Sequence, residues 1–158
     1  MIGMDSGFAA VWSRVTGVPP GEDELTVLRR WLRDEAEGIR AYEALLRSRL
    51  PAPAERTLRS LLQTERRHFR QLQVLYYLRT GDNWTPPPPA PQPRWPWMKA
   101  LRERYAAAIA QEESYRRFAD SEKRDLAALC AALAKEEEAQ AALLRKLISR
   151  LFFFSAQI

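Results

Sequence analysis

Glu65 and His68 stand one helical turn apart, at positions where the surrounding sequence calls for leucine. Read in steps of three and four, their segment runs Leu58, Leu61, Glu65, His68, Leu72, Leu75. The preceding segment runs Leu25, Leu28, Leu32, Glu35, Ile39, Tyr42, Leu46, again with a carboxylate inside the stripe. That spacing puts the named side chains on one face of a helix. Two carboxylates and an imidazole in a helical core are costly unless they are paired or bound to a metal. Oxygen ligands with one imidazole suit Fe(II), Mn(II) or adventitious Zn(II).

The second half of the chain repeats the frame. Glu65-x-x-His68 aligns with Glu137-x-x-Gln140, each followed four residues later by a leucine, Leu72 or Leu144. The stripe Leu126, Cys130, Leu133, Glu137, Gln140, Leu144, Leu147, Leu151 places both polar residues inward independently. Glu35-x-x-Gly38-x-x-x-Tyr42 aligns with Gln111-x-x-Ser114-x-x-x-Phe118: polar, small, aromatic. One ambiguity stays open here. A stripe through 101, 104, 108, 111, 115 and 118 turns Gln111 inward, whereas 101, 105, 108, 112 and 115 turns Glu112 inward.

The elements that must carry these residues are helices. No segment sustains a period of two, so no sheet is expected. Pro19-Pro20-Gly21 precedes a first long helix over 23–49, and Pro51 and Pro53 separate it from a second over 54–79, closed by Gly81. Residues 80–96 include Pro86 to Pro89, Pro91, Pro93 and Pro96 and read as a stiff, extended crossover. A third helix is expected over 97–120 and a fourth over 122–150, with Asp120 and Ser121 available as caps. Phe8, Val11, Trp12 and Val15 suggest a short amphipathic helix over 5–17 that docks on the body. The expectation is a single all-α domain over 1–158. Its short, long, short connections are those of a ferritin-like four-helix bundle with one long crossover between helices two and three.

Composition limits the partners. The chain has 158 residues, 46% hydrophobic and 28% charged, enough for a packed core. The net charge of +5 comes largely from arginines spread over polar helical faces and interleaved with glutamates, so no nucleic-acid partner is expected. A lone cysteine, Cys130, offers neither a disulfide framework nor a cysteine metal centre. Leu151 to Phe154 is apolar but too short to span a bilayer, and no stable membrane insertion is expected. A cytoplasmic location is the default.

At Glu35 to Tyr42, Thr64 to Leu72 and Leu75 to Gly81 the chain resembles the rubrerythrin branch of the ferritin-like superfamily. The resemblance spans about residues 24 to 150 and is closer in the first half. In that family each half supplies one Glu and one Glu-x-x-His, and the six ligands hold two iron or manganese ions. Carried over by position, the resemblance implies Glu35, Glu65, His68 and Glu137 as metal ligands. Gln111 stands where a Glu is expected, with Glu112 as its substitute, and Gln140 stands where the second His is expected. The rubredoxin-like cysteine domain is absent. These bundles often pair side by side, which implies a homodimer.

The departures weaken the site. Three carboxylates, one imidazole and two amides carry too little negative charge and one nitrogen donor too few for two divalent ions. The expectation is at most one Fe or Mn per chain and weak or no oxidoreductase activity on peroxide or oxygen. The alternative is a metal-free bundle serving as a structural or interaction module. There Glu35, Glu65 and Glu137 would be partly protonated or would pair with His68 and an arginine such as Arg40, and Gln111 and Gln140 would hydrogen-bond across the interior.

Overall fold

The computed structural model describes residues 23–91 and 96–155, and these form an all-α four-helix bundle. The expected N-terminal helix and residues 92–95, including Trp95, lie outside the described residues. Helix α1 is Glu24–Leu46, α2 Ala52–Thr80, α3 Trp97–Arg116 and α4 Arg124–Ser155. Asp23 caps α1, its Oδ1 accepting the Leu25 N–H at 2.8 Å. Pro53 occupies the first turn of α2, where its missing N–H breaks no helical bond. Gly81 ends α2 at φ 77°, a left-handed conformation that a side chain would strain.

Helix α3 stops at Arg116, short of the expected 120. Phe118 and Ala119 instead donate their N–H groups to carbonyls three residues back, at 3.0 and 3.2 Å, tightening the chain into a turn. Helix α4 continues to Ser155 because Leu147 and Leu151 extend its buried stripe.

Helices α1 and α2 form one antiparallel hairpin and α3 and α4 another, with α1 packed on α3 and α2 on α4. Helices α2 and α3 lie diagonally across the bundle with no close backbone approach among the described residues, and meet only through interior side chains such as Glu65 and Arg104. Ion pairs fix the ends. Arg79, at the end of α2, meets Glu24 of α1 at 2.7 Å and Asp125 of α4 at 2.9 Å, and Lys123 also pairs with Glu24. The start of α1, the end of α2 and the start of α4 therefore share one end of the bundle. Trp97 and Leu101 at the start of α3 pack at the opposite end, among Leu45, Leu58, Leu147 and Leu151. Gly81 and Trp97 therefore stand at opposite ends of the bundle. Shortly after Gly81, Trp84 packs edge-on against Phe69 of α2, ring centroids 5.9 Å apart.

The core falls into two apolar clusters. One contains Leu28, Trp31, Leu32, Leu72, Tyr115 and Leu133, the other Tyr42, Leu58, Leu61, Leu101, Leu144 and Leu147. Between them every helix breaks its apolar stripe at the same level: Glu35 in α1, Glu65 and His68 in α2, Arg104 and Gln111 in α3, Glu137 and Gln140 in α4. A buried polar layer thus crosses the middle of the bundle. None of the described helices is long and apolar enough to cross a membrane.

Candidate metal centre

Helical periodicity alone delivers most of this layer to one place. Glu65 and His68 are three residues apart on α2, as are Glu137 and Gln140 on α4, so each pair projects from one face of its helix. Glu35, His68 and Glu137 each offer a donor atom, and these three atoms all lie within 4.8 Å of one another. Two ligands on opposite sides of one ion stand about 4.4 Å apart at ordinary bond lengths of roughly 2.2 Å. The triad is therefore close to coordination geometry, and all three side chains are fully buried.

His68 is oriented by two adjacent residues of α4. Its Nδ1 lies 3.1 Å from Glu137 Oε1 and 3.6 Å from Glu35 Oε1, while Nε2 lies 2.6 Å from Glu136 Oε2. Glu136 is partly exposed and also accepts from Arg67 at 2.7 Å. A carboxylate taking the Nε2 proton fixes the ring and leaves Nδ1 facing the other two donors, the usual arrangement behind a metal-bound imidazole. Glu35 is held in turn: its Oε1 accepts from Tyr115 Oη at 2.6 Å and from Gln111 Nε2 at 3.2 Å. Gln140 Nε2 donates to Glu137 Oε1 at 3.3 Å.

Glu65 stands beside the triad rather than in it. Its Oε1 is 3.8 Å from Arg104 Nη2, too long for a hydrogen bond but an ion pair in a buried setting. The Arg104 guanidinium also lies over the Tyr42 ring, 5.2 Å from its centroid. Gly38 makes room for this arrangement. A Cβ there would lie 2.3 Å from Glu65 Oε2 and 2.8 Å from Arg104 Nη2.

Protonation follows from these contacts. Burial alone would depress the His68 imidazolium, but hydrogen bonds and charge from Glu137 and Glu35 prevail and raise it to about 11. Burial pushes Glu137 up to about 7 in spite of His68. Burial, then the charge of Glu35, pushes Glu65 well above the usual carboxylate range, against the pull of Arg104. Burial and Glu35 also keep the Tyr115 hydroxyl protonated, as the hydrogen-bond donor it must be.

The donor set fits a cation. Six acceptor oxygens in the layer are buried without a donated hydrogen bond: Glu35 Oε2, both of Glu65, Gln111 Oε1, Glu137 Oε2 and Gln140 Oε1. Orphaned acceptors in that number are costly, and a bound cation satisfies several at once.

Of the positions singled out in the sequence, Glu35, His68 and Glu137 converge, and Glu65, Gln111 and Gln140 border them. Glu112 does not join them. It sits one residue, about 100° of helix, past Gln111 and accepts from Arg116 at the surface, at 2.8 Å. The interior arginine is Arg104, whereas Arg40 is only half-buried. Sequence reading missed Arg104, although position 104 fell in the α3 stripe, and missed Glu136, which borders the α4 stripe in a run of three glutamates. Cys130 is buried in an apolar cluster away from this layer, its thiol pushed up to about 12 by burial. A polar cleft between α1 and α3, walled by Arg30, Asp34, Glu37, Glu113 and Arg117, reaches inward to Arg104 and Gln111. Comparison with protein-family models, curated proteins and solved structures finds no significant match.

Proposed function

We propose that the chain is a rubrerythrin-like, ferritin-like metal-binding protein that holds a single divalent ion, Fe(II) or Mn(II), between Glu35, His68 and Glu137. The observation that carries this reading is the buried convergence of two carboxylates and the His68 Nδ1 on one point, inside a layer of orphaned acceptor oxygens. Gln111 and Gln140, hydrogen-bonded to Glu35 and Glu137, border the triad and would be the next ligands to reach the ion. A bound iron or manganese ion would supply one-electron chemistry toward peroxide or oxygen. The residues around it hold and orient: Tyr115 and Gln111 fix Glu35, Glu136 fixes His68, and the apolar clusters above and below exclude water. Redox turnover is expected to be weak or absent. One ion would replace the pair of the intact site.

A second reading has its own support. Both nitrogens of His68 face carboxylates, the pattern of a charged imidazolium closing a metal-free network. The bundle would then be a structural or interaction module. Metal analysis of protein purified without chelator, followed by Mn(II) titration monitored by electron paramagnetic resonance, separates the two. The metal reading expects one ion per chain in the wild type and none in His68→Ala. A folded wild type that binds no Mn(II), Fe(II) or Zn(II) supports the network. Two ions per chain with peroxide consumption would restore a working dinuclear enzyme.

A further inference from the structure

We infer that Arg104 is a built-in counter-cation for Glu65, occupying with a guanidinium the ground a second metal ion would need and so limiting the bundle to one. The inference rests on the single-ion reading above and adds the residue that sets the number.

Three observations converge on Arg104. First, it is only 8% exposed and lies at the level where the other helices place their acids. An arginine this buried calls for a compensating charge. Second, its environment is shaped to accept it: Glu65 at 3.8 Å, the Tyr42 ring beneath it, and a glycine at 38 whose missing Cβ leaves the space. Third, its Nε and Nη2 are buried without hydrogen bonds. Its fit to the site is therefore one of charge more than of directional bonding.

The charges balance with one ion only. Glu35, Glu65 and Glu137 bring three negative charges, and Arg104 with one divalent ion brings three positive ones, with His68 neutral as a ligand. Glu136 is matched separately by Arg67. A second divalent ion would leave two uncompensated positive charges in a low-dielectric interior, within reach of a fixed guanidinium. The amides at 111 and 140 add no charge to offset it.

The test counts Mn(II) ions bound per chain, with helical content and thermal melting recorded for every variant. The wild type should bind one. Arg104→Met keeps most of the side-chain length without the charge, and Arg104→Gln is a smaller uncharged alternative should the first not fold. Either should admit a second ion, whereas Arg104→Lys should stay at one. Folded Met and Gln variants that remain at one ion overturn the inference. So does a Lys variant that admits two, or an Arg104→Met that loses the first ion while folded. A wild type that binds none defeats the metal reading itself and this inference with it. That failure is distinct, because in the others the wild type binds one.

Discussion

His68 of α2 and Glu137 of α4 meet through Nδ1 and Oε1 at 3.1 Å, joining the two hairpins across the middle of the bundle. The contact lies on the interface between hairpins, so its protonation bears on how the halves hold together. It also stands where a metal would have to enter, which makes protons and metal competitors for one site.

The metal-free protein should lose stability as pH rises. Glu137 ordinarily titrates near 4.5 and is raised to about 7 in the fold, and His68 is raised from 6.5 to about 11. Both groups bind protons more tightly folded than unfolded. Their stabilisation is complete below the unfolded values and fades as pH passes through the folded ones. Between pH 5 and 9 the slope should reach about 1.4 kcal/mol per pH unit wherever the folded chain holds one extra proton. Against the upward pull of burial, Lys123 and Arg79 hold Glu24 low, so that pair is lost only in acid. Thermal melts of chelator-treated protein at pH 5, 7 and 9 should show a falling midpoint. A flat or rising one would mean that His68 is neutral in the fold.

Tyr115→Phe isolates the support given to Glu35. Tyr115 is fully buried, and its hydroxyl donates to Glu35 Oε1 at 2.6 Å while its ring packs on Trp31 at a centroid distance of 4.9 Å. Phenylalanine keeps the ring contact and removes the donor, which should cost about 2 kcal/mol in urea unfolding. The number of metal ions bound should not change. A loss below about 0.5 kcal/mol would show that Gln111 and solvent replace the hydroxyl without penalty.

Much of this was legible from spacing because a 3.6-residue period ties each position to a face. Apolar residues on either side of Glu35, of Glu65 and His68, and of Glu137 and Gln140 fix their inward direction within each helix. Helix α3 was harder. Ala106, Ala107, Ala108 and Ala110 give little contrast between its faces, so the choice between Gln111 and Glu112 waited on packing. Arg104 was unreadable for another reason. Its type belongs at a surface, and its burial depends on Gly38 and Glu65, which come from two other helices. The end of α3 at Arg116 likewise depends on a turn whose residues carry no strong breaker.

Gly38→Leu should destabilise the protein although leucine is the better helix former. In an open helix the exchange would gain roughly 0.5–1 kcal/mol. Here a Cβ alone would approach Glu65 Oε2 to 2.3 Å and Arg104 Nη2 to 2.8 Å, and both side chains are buried with little room to retreat. Overpacking of this kind typically costs about 1–3 kcal/mol, and displacing a buried ion pair adds to it. Urea unfolding should show a net loss of about 2 kcal/mol or more. Unchanged or increased stability would mean that α1 and α3 can part without cost at this level.

Metal binding should release protons, and their number reports the site's occupancy. In the metal-free protein at pH 6, His68 carries a proton because the Glu137 and Glu35 carboxylates outweigh its burial. The carboxyls of Glu65 and Glu137 are both raised, by burial first, so at least one proton resides on that pair. A divalent ion needs His68 neutral and the carboxylates ionised. It should therefore displace about two protons, one from the imidazole and one from the carboxyl pair. Calorimetric titration with Mn(II) in buffers of different ionisation enthalpy gives the count directly. At pH 8 any share released by Glu137 should shrink, because the pH then exceeds its folded value of about 7, while His68, raised to about 11, should still release its proton. Release near zero at both pH values would place the ion outside this triad, since an ion bound elsewhere leaves the His68 proton where it is.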